Sequence, residues 1–263
     1  SLYSIDSGLQ SVFLSGYLPI MSHKEALAEV LLASGYYAKV DRHGFLRIIP
    51  FPQTEALDTL TDDRLLGKAS ESLDDLVNEV AVSYYKLQSN SGSSQLYKGE
   101  LTVTGSLQLW VPYSQAPASN VTASVTSGSV SITPYATAAL VTVTGNGNIT
   151  LTLQGNSYEI MEAVLNRKFS NAPAGEESNQ LECKEHYLIG DTATAQRVLN
   201  NCQTSFNRRF RQHMTIWADP RYELFDTVAS PNAFGEEGLR MLEKLSWQFN
   251  GGWQLTAEGV KLS

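Results

Sequence analysis

The sequence contains little cysteine and no long apolar run. Its 263 residues include two cysteines, Cys183 and Cys202, which are too few for a fold held together by disulfides. No stretch of about 18 apolar residues occurs, so the sequence predicts no membrane-spanning helix. The first ten residues lack the basic and then apolar pattern of a signal peptide. The chain does not begin with Met, and we interpret it as a processed or excised piece of something larger.

Positive charge is also scarce. The net charge is −8 at pH 7, whereas a protein that binds nucleic acid presents a basic face to the phosphates. The one basic run, Arg208 to Arg211, is short, so we expect no nucleic acid partner. With 42% hydrophobic residues, the chain is long and apolar enough for two or three folded domains.

Recognisable catalytic and metal-binding spacings are missing. The histidines do not stand at zinc-ligand spacing from one another or from a cysteine; they are His23, His43, His186 and His213. Adjacent carboxylates are interpreted as solvated loop residues; they are Asp62–Asp63, Asp74–Asp75, Glu176–Glu177 and Glu236–Glu237. No nucleophile elbow, Walker loop, dinucleotide fingerprint or calcium loop is present. The sequence therefore predicts a protein that is not an enzyme and has no cofactor or metal, although an enzyme with scattered active-site residues would escape this search.

The N-terminal part predicts a helix followed by a β-hairpin. Ser22 and Glu25 have the spacing of a capping box, and Gly35 stands where a left-handed helix end belongs. Tyr36 to Val40 and Phe45 to Ile49 then flank a turn-rich tetrad. After a loop-like stretch rich in Thr and Asp, the alternation of Val77 to Leu87 predicts a long strand.

The middle of the chain, from about Gln95 to Tyr158, consists of Thr, Ser, Gly, Val and Asn with almost no charge. Short alternating runs broken by Gly and Asn predict antiparallel strands. Asn146–Gly147 predicts a hairpin turn, because type I′ turns need positive φ at both central residues. Ser89 to Ser94 has the composition of a flexible linker.

The C-terminal part predicts strand, helix and then several strands. Glu159 to Phe169 and Leu181 to Ile189 are predicted strands, and Ala172 to Glu177 is a predicted loop. Asp191 or Thr192 caps a helix with an apolar stripe made of Ala195, Val198, Leu199, Cys202, Phe206 and Phe210. Further strands are predicted over Met214 to Ala218, Phe225 to Ala229, Leu239 to Phe249 and Trp253 to Ala257, with a turn at Asn250 to Gly252.

These patterns together predict an α+β protein with a small all-β, sandwich-like insert. The predicted units are residues 1–90, 95–157 and 158–263. Because the strands at Val77–Leu87 and Tyr158–Phe169 could pair, the first and third units are expected to form one discontinuous domain. At about 60 residues the insert is small for an independent core, so we expect it to lean on its neighbours.

Three aromatic residues of the insert are candidate ligand contacts: Trp110, Tyr113 and Tyr135. Exposed rings on a β-face can grip sugar rings. The alternative, that Trp110 and Tyr135 form the core of a small sandwich, is the interpretation we favour.

The two cysteines are interpreted as small buried hydrophobes. Cys183 falls on a predicted strand and Cys202 on the apolar stripe of the following helix. A strand and the helix after it can pack together, so a disulfide between them stays open. Neither has the base and electropositive surroundings of a catalytic thiol.

Several stretches resemble tail proteins of phages and prophages of Gram-positive bacteria. The run from Ser15 to Pro50 contains a "GY-x-P-I" entry, the capped helix "SHKEAL" and a hairpin around "D-R-x-G". LYKGELTVTG and the closing QGNSYE are similar to a β-insert of those proteins. DTATAQRVLNNCQTSFNRRF followed by MTIWADPRYELFDTV resembles the strand–helix–strand of baseplate hub domains.

The resemblance implies a virion structural protein at the tail tip or baseplate hub. It implies a homo-oligomer, often a trimer, that contacts other phage tail proteins, lies in the virion tail and is assembled in the bacterial host cytoplasm. Two alternatives stay open: a carbohydrate-binding or adhesin module that contacts a host-surface glycan, and, less favoured, a tail-associated hydrolase.

Overall fold

The computed structural model describes residues 2–50, 54–75, 77–169, 179–206, 208–232, 234–249 and 251–262. The predicted loop at 172–177, with the Glu176–Glu177 pair, and Asn250 of the last predicted turn lie outside these residues. The helices are α1 (His23–Ser34) and α2 (Thr192–Phe206). The strands are β1 (Tyr3–Ile5), β2 (Tyr36–Val40), β3 (Leu46–Pro50), β4 (Ala56–Thr59), β5 (Ser70–Leu73), β6 (Glu79–Ser89), β7 (Ser94–Pro112), β8 (Ala118–Val125), β9 (Ser129–Pro134), β10 (Ala138–Lys168), β11 (Gln180–Cys183), β12 (Phe210–Trp217), β13 (Thr227–Pro231), β14 (Glu237–Phe249) and β15 (Trp253–Lys261).

The N-terminal helix and hairpin are confirmed. The Ser22 side chain accepts a hydrogen bond from the Glu25 N–H, and the Glu25 carboxylate accepts one from the Ser22 N–H at 2.8 Å. Gly35 ends α1 with φ at +78°, a conformation that glycine adopts without the Cβ penalty. Strands β2 and β3 pair antiparallel, and β1, which the sequence patterns did not predict, adds to β3 in parallel.

One long strand joins the insert to the rest of the chain. The C-terminal end of β10 pairs antiparallel with β6, from Tyr158 opposite Ser89 to Lys168 opposite Glu79, so the expected pairing of these two segments is confirmed. The N-terminal part of β10 pairs with β7 along one edge and with β9 and β8 along the other. A single strand therefore carries hydrogen bonds to both neighbouring units.

The hairpin predicted at Asn146–Gly147 is wrong. Both residues lie inside β10 and pair with Thr104 and Val103 of β7. Gly147 has φ at +98°, and Gly105 on the partner strand has φ at +76°. The glycines with positive φ on the two paired strands therefore lie within a continuous ladder, and the chain does not turn at this point.

The segment predicted as a flexible linker, Ser89 to Ser94, is a short connection between two strands. Its two ends belong to β6 and β7. Asn90 Nδ2 donates to Ser157 Oγ at 3.1 Å, and Ser94 Oγ lies 3.3 Å from the same atom. The polar composition serves hydrogen bonds at the junction with β10.

A six-stranded sheet with the order β4-β13-β14-β15-β12-β5 forms the C-terminal part of the fold. Its two edge strands, β4 and β5, come from the segment that the sequence predicted as a loop. That prediction was wrong because edge strands need little apolar character: β5 is exposed throughout and is held by pairing with β12. Strands β12 to β15 confirm the predicted C-terminal strands within a few residues.

Helix α2 begins after Asp191, whose carboxylate accepts a hydrogen bond from the Thr194 N–H at 2.7 Å. The helix ends at Phe206, so the assignment of Phe210 to its apolar stripe is wrong; Phe210 is an exposed residue of β12. The strand predicted over Leu181 to Ile189 is limited to β11, which adds to β6 in parallel.

Three clusters of buried apolar side chains stabilise the described part of the chain. One lies within the insert, one beneath the six-stranded sheet, and one between α2 and β6. The α+β class is confirmed in broad terms, with two helices and a majority of strand residues.

We expect Leu199→Ala to lower the free energy of unfolding by about 2–5 kcal/mol, because Leu199 is buried in the cluster between α2 and β6. Chemical denaturation measures this change. The matched control is Leu73→Ala on the exposed edge strand β5, which should change stability by less than about 1 kcal/mol. Equal losses in the two variants would contradict the packing of α2 described above.

Candidate functional site

The three aromatic residues predicted to contact a ligand occupy two different environments. Trp110 is 50% exposed and Tyr135 is 45% exposed. Their ring centroids lie 5.2 Å apart, with the planes inclined at 48°. Tyr113 is 7% exposed and belongs to the core of the insert, where burial raises its pKa. The favoured interpretation of Trp110 and Tyr135 as core residues is therefore wrong, whereas Tyr113 is a core residue.

The alternation of β7 explains the exposure of Trp110. Leu107, Leu109 and Val111 occupy the positions that pack toward the core of the insert, and Trp110 falls on the opposite face. The same alternation can be seen in the sequence LQLWVP, and it is the signal that identifies Trp110 as a surface residue.

Two of the four histidines, His186 and His213, each contact one carboxylate. His186 Nδ1 lies 3.0 Å from Glu29. His213 Nε2 lies 3.1 Å from Ser72 Oγ, and its Nδ1 lies 3.6 Å from Glu258 Oε2. This order of contacts is that of a Ser–His–acid triad, but 3.6 Å is too long for the hydrogen bond that would orient the ring. Glu258 also binds Arg211 at 3.1 Å, so we interpret the group as cross-strand contacts on the sheet surface.

The cysteines are both free thiols. Cys183 on β11 and Cys202 on α2 pack against the same apolar cluster. Burial raises the pKa of Cys183 to about 11, with a smaller contribution from Cys202, and burial also raises the pKa of Cys202. A thiol that stays protonated at neutral pH is a poor nucleophile, in agreement with the structural interpretation.

The short basic run is engaged within the fold. Arg211 binds Asp74, Glu243 and Glu258, and Arg209 Nε donates to the Asp74 carbonyl at 3.0 Å. The Arg211 guanidinium thus faces carboxylates of the same chain, and the Arg209 guanidinium faces a backbone carbonyl. Over the described ranges, no three His, Cys, Asp or Glu side chains are grouped closely enough to hold a metal ion.

An apolar cleft of about 680 Å³ lies between the β2–β3 hairpin and the six-stranded sheet. Its walls are contributed by Val40, Tyr222, Leu224, Leu245, Trp247 and Trp253. Clefts of this size and character are common sites for small ligands and for anchoring side chains of partner proteins.

The β14–β15 hairpin builds the aromatic side of the cleft. Leu245, Trp247 and Phe249 alternate along β14, and Phe249 pairs with Trp253 across the hairpin. Leu245 packs against the sheet core. Trp247 and Phe249, the next residues on the same face of β14, continue this apolar surface to where it is exposed. Trp247 is 42% exposed and Trp253 is 62% exposed. We call this set, Trp247, Phe249 and Trp253, the aromatic face.

Ion pairs close the polar rim of the cleft. Lys39 Nζ lies 2.9 Å from Asp226 Oδ1 and 3.4 Å from Glu223 Oε2. Arg42 Nε lies 3.2 Å from Glu223 Oε1, and the Arg42 N–H donates to that oxygen at 2.9 Å. These contacts fix the β2–β3 hairpin against the segment that follows β12. The rim charges are satisfied within the chain, so the interaction capacity of the cleft is mainly apolar.

A second charged group supports the same segment. Asp219 Oδ2 lies 2.8 Å from Arg221 and 3.2 Å from Arg64, and Arg64 also binds Asp58 at 2.7 Å. The hydrogen bonds from Arg221 lower the pKa of Asp219 to about 2, against a partial opposing effect of burial. The pKa of Asp58 is lowered chiefly by Arg64.

The cleft has no signal in the local sequence patterns. Its walls include both Val40 and Trp253, which lie near opposite ends of the sequence and come together only through tertiary packing. The aromatic face had a local signal: aromatic residues at 247, 249 and 253 surround the Gly251–Gly252 turn, the pattern of a hairpin with one aromatic face.

Comparison with known proteins gives matches to solved structures alone. No family model matches the chain, and no curated protein matches it. The 43 kDa tail protein of prophage MuSo2 from Shewanella oneidensis matches with 12% identity and a TM-score of 0.46, over 90% of this chain and 54% of that one. A chain of the virion of a native gene transfer agent particle matches with 12% identity and a TM-score of 0.48, over 92% of this chain and 40% of that one. This chain thus spans about half of the first protein and less of the second.

Neither described helix has the length and apolar character needed to cross a membrane.

We expect Asp219→Asn to reduce stability at neutral pH by roughly 1–2 kcal/mol. The folded pKa of about 2 lies below the ordinary 3.8, so the carboxylate stabilises the fold above about pH 4 and loses this effect as pH falls toward 2. Urea unfolding at several pH values measures the difference between wild type and variant, which should shrink below pH 3. Asp63→Asn, at an exposed position, is the control, and a pH-independent gap for Asp219→Asn would contradict the assignment.

Proposed function

We propose that this chain is a structural component of a phage or prophage tail, at the tail tip or baseplate hub, and that it acts by binding other tail proteins without a reacting centre. The observation that carries the proposal is the apolar cleft with its exposed aromatic face. The sequence resemblance to hub proteins is what supports the proposed location in the virion tail, the proposed assembly in the host cytoplasm and the proposed Gram-positive host.

The chemistry of the cleft favours a protein partner. Trp247, Phe249 and Trp253 expose apolar surface on a paired hairpin, so little side-chain and backbone entropy is lost when a partner covers them. Contiguous apolar patches rimmed by polar groups mark protein–protein interfaces, and tryptophan is enriched among residues that dominate binding energy. Because Lys39 and Arg42 pair with Glu223 and Asp226, a charged small ligand would meet rim charges that are already paired within the chain.

The proposed assembly is a homo-oligomer, a trimer by resemblance to hub proteins, that joins further tail proteins. In a symmetric ring, a heterologous contact places one surface of each copy against a different surface of the next. The aromatic face is our candidate for one of these two surfaces. Light scattering on the complete parent protein measures the stoichiometry, and a strict monomer that never enters tail particles would contradict the proposal.

We expect Trp247→Ala combined with Trp253→Ala to reduce incorporation into tail particles by at least about tenfold, because truncating interface anchors costs about 2 kcal/mol or more each. Complementation of a phage or prophage that lacks the parent gene, followed by quantification of tails, measures this. Trp217→Ala is the matched control: Trp217 is 51% exposed and pairs with Gln254 on the other side of β15. Normal incorporation of the double variant, with folding retained by circular dichroism, would reject the cleft as the interface.

A second candidate function has its own observation. The exposed Trp110–Tyr135 pair on the insert supports a carbohydrate-binding role that contacts a host-surface glycan. The two functions are compatible, since the aromatic pair and the cleft are formed by different strands.

A further inference from the structure

The outer face of the insert forms an ordered grid around Trp110. In the first row Trp110 of β7 lies opposite Leu140 of β10, which lies opposite Thr133 of β9. The second row is Gln108, Thr142 and Ser131, and the third row is Ser106, Thr144 and Ser129. These nine side chains occupy alternate positions on three adjacent strands and therefore share one face. We call this surface, together with Tyr135, the hydroxyl face.

The hydroxyl face carries no formal charge. Residues 101–157 contain no Asp, Glu, Lys, Arg or His. Six members of the grid are Ser or Thr and one is Gln, and Gln108 Nε2 donates to Thr142 Oγ1 at 3.3 Å. Anionic polymers bind through cationic side chains and metal ions bind through carboxylates, and both groups are missing from this face. Hydroxyl and amide groups both donate and accept hydrogen bonds, which complements the hydroxyl groups of a neutral sugar chain.

The aromatic pair is held in place at one end of the grid. Trp110 lies on the continuous β7–β10 ladder. Tyr135 follows β9 directly, and its N–H donates to the Ala138 carbonyl at 2.8 Å across the turn into β10. The backbone that carries both rings is therefore ordered before a ligand arrives, which lowers the entropy lost on binding. Two inclined rings at 5.2 Å offer apolar surface to the C–H face of a sugar ring, beside the polar rows.

We propose that the hydroxyl face binds a neutral polysaccharide chain, with one sugar ring stacked on Trp110 and Tyr135 and the following rings lying along the Gln, Ser and Thr rows. This inference deepens the second candidate function above and rests on it. Two residues along a strand advance about 6.6–6.8 Å, so the three rows span roughly 13 Å, the length of a short oligosaccharide. The lack of charge sets the specificity: neutral glycans bind, and phosphate-bearing wall polymers do not.

The test uses the full chain and measures binding by isothermal titration calorimetry and by mobility in native gels that contain polysaccharide. The neutral probes are dextran, a galactan and a soluble β-glucan, and the charged probe is poly(glycerol phosphate). We expect at least one neutral probe to bind, the charged probe to be inert, and Trp110→Ala to weaken binding by at least about tenfold. Tyr135→Ala should act in the same direction, and Gln108→Ala should weaken binding severalfold.

Trp217→Ala is the control for loss of an exposed tryptophan elsewhere and should bind as wild type does. Thermal melts by circular dichroism verify folding; if Trp110→Ala fails to fold, the Tyr135→Ala and Gln108→Ala variants decide. Absence of binding to every neutral probe, preference for the charged polymer, or equal binding by all three face variants and wild type would overturn the proposal.

A parallel tail-assembly assay separates this inference from the proposed structural role. Trp110→Ala should leave incorporation into tails unchanged, whereas the Trp247 and Trp253 double variant should leave polysaccharide binding unchanged. If Trp110→Ala instead abolishes assembly and no glycan binds, the hydroxyl face is a protein interface and the inference is wrong. If the glycan binds but the chain never enters tails, the proposed structural role is rejected and the proposed glycan site on the hydroxyl face is supported.

Discussion

The antiparallel pairing of β10 with both β6 and β7 is the constraint on which the rest of the structure depends. One strand of 31 residues carries the ladder from the insert into the unit that contains α2. At the junction, Ser157 is buried and hydrogen-bonds with Asn90, Ser94 and Gln115. A swing of the insert would break backbone pairs together with this cluster, each at a cost of about 1 kcal/mol or more. The insert is thus oriented by the sheet, although its composition resembles a module on a flexible linker.

Sequence patterns predicted elements whose signals are local. The Ser22–Glu25 box, Gly35 and the β2–β3 alternation determine structure within about one turn of helix or one hairpin, and all three are confirmed. Signals that depend on a distant partner were misread. Asn146–Gly147 has the composition of a turn, but it lies within the unbroken strand β10. The facing strand β7 also contains a glycine with positive φ, Gly105. The edge strands β4 and β5 have little strand character of their own and acquire it from β13 and β12.

The candidate sites divide in the same way. The exposure of Trp110 follows from the alternation of its own strand, so it could be predicted from the sequence. The core role was favoured because tryptophan is a large apolar residue, and the alternation indicated the opposite face. The cleft brings together Val40, Leu224 and Trp253, which are far apart in the sequence. No local hydrophobic pattern predicts that they lie side by side. The ion pairs of Lys39 and Arg42 with Glu223 likewise join distant segments, so no local sequence pattern indicates them.

The distribution of charge separates two kinds of surface on one chain. Around the six-stranded sheet, arginines and carboxylates are used against each other, as at Asp58, Arg64 and Asp219, which leaves the cleft apolar. In the insert, hydroxyl groups take the place of charges on a face that the β7–β10 ladder keeps ordered. Apolar surface associates because water is released from it and does so with weak dependence on salt, whereas hydroxyl groups exchange hydrogen bonds with water at small net gain. A tight contact between protein copies suits the first surface, and a weak contact multiplied over many copies in a particle suits the second.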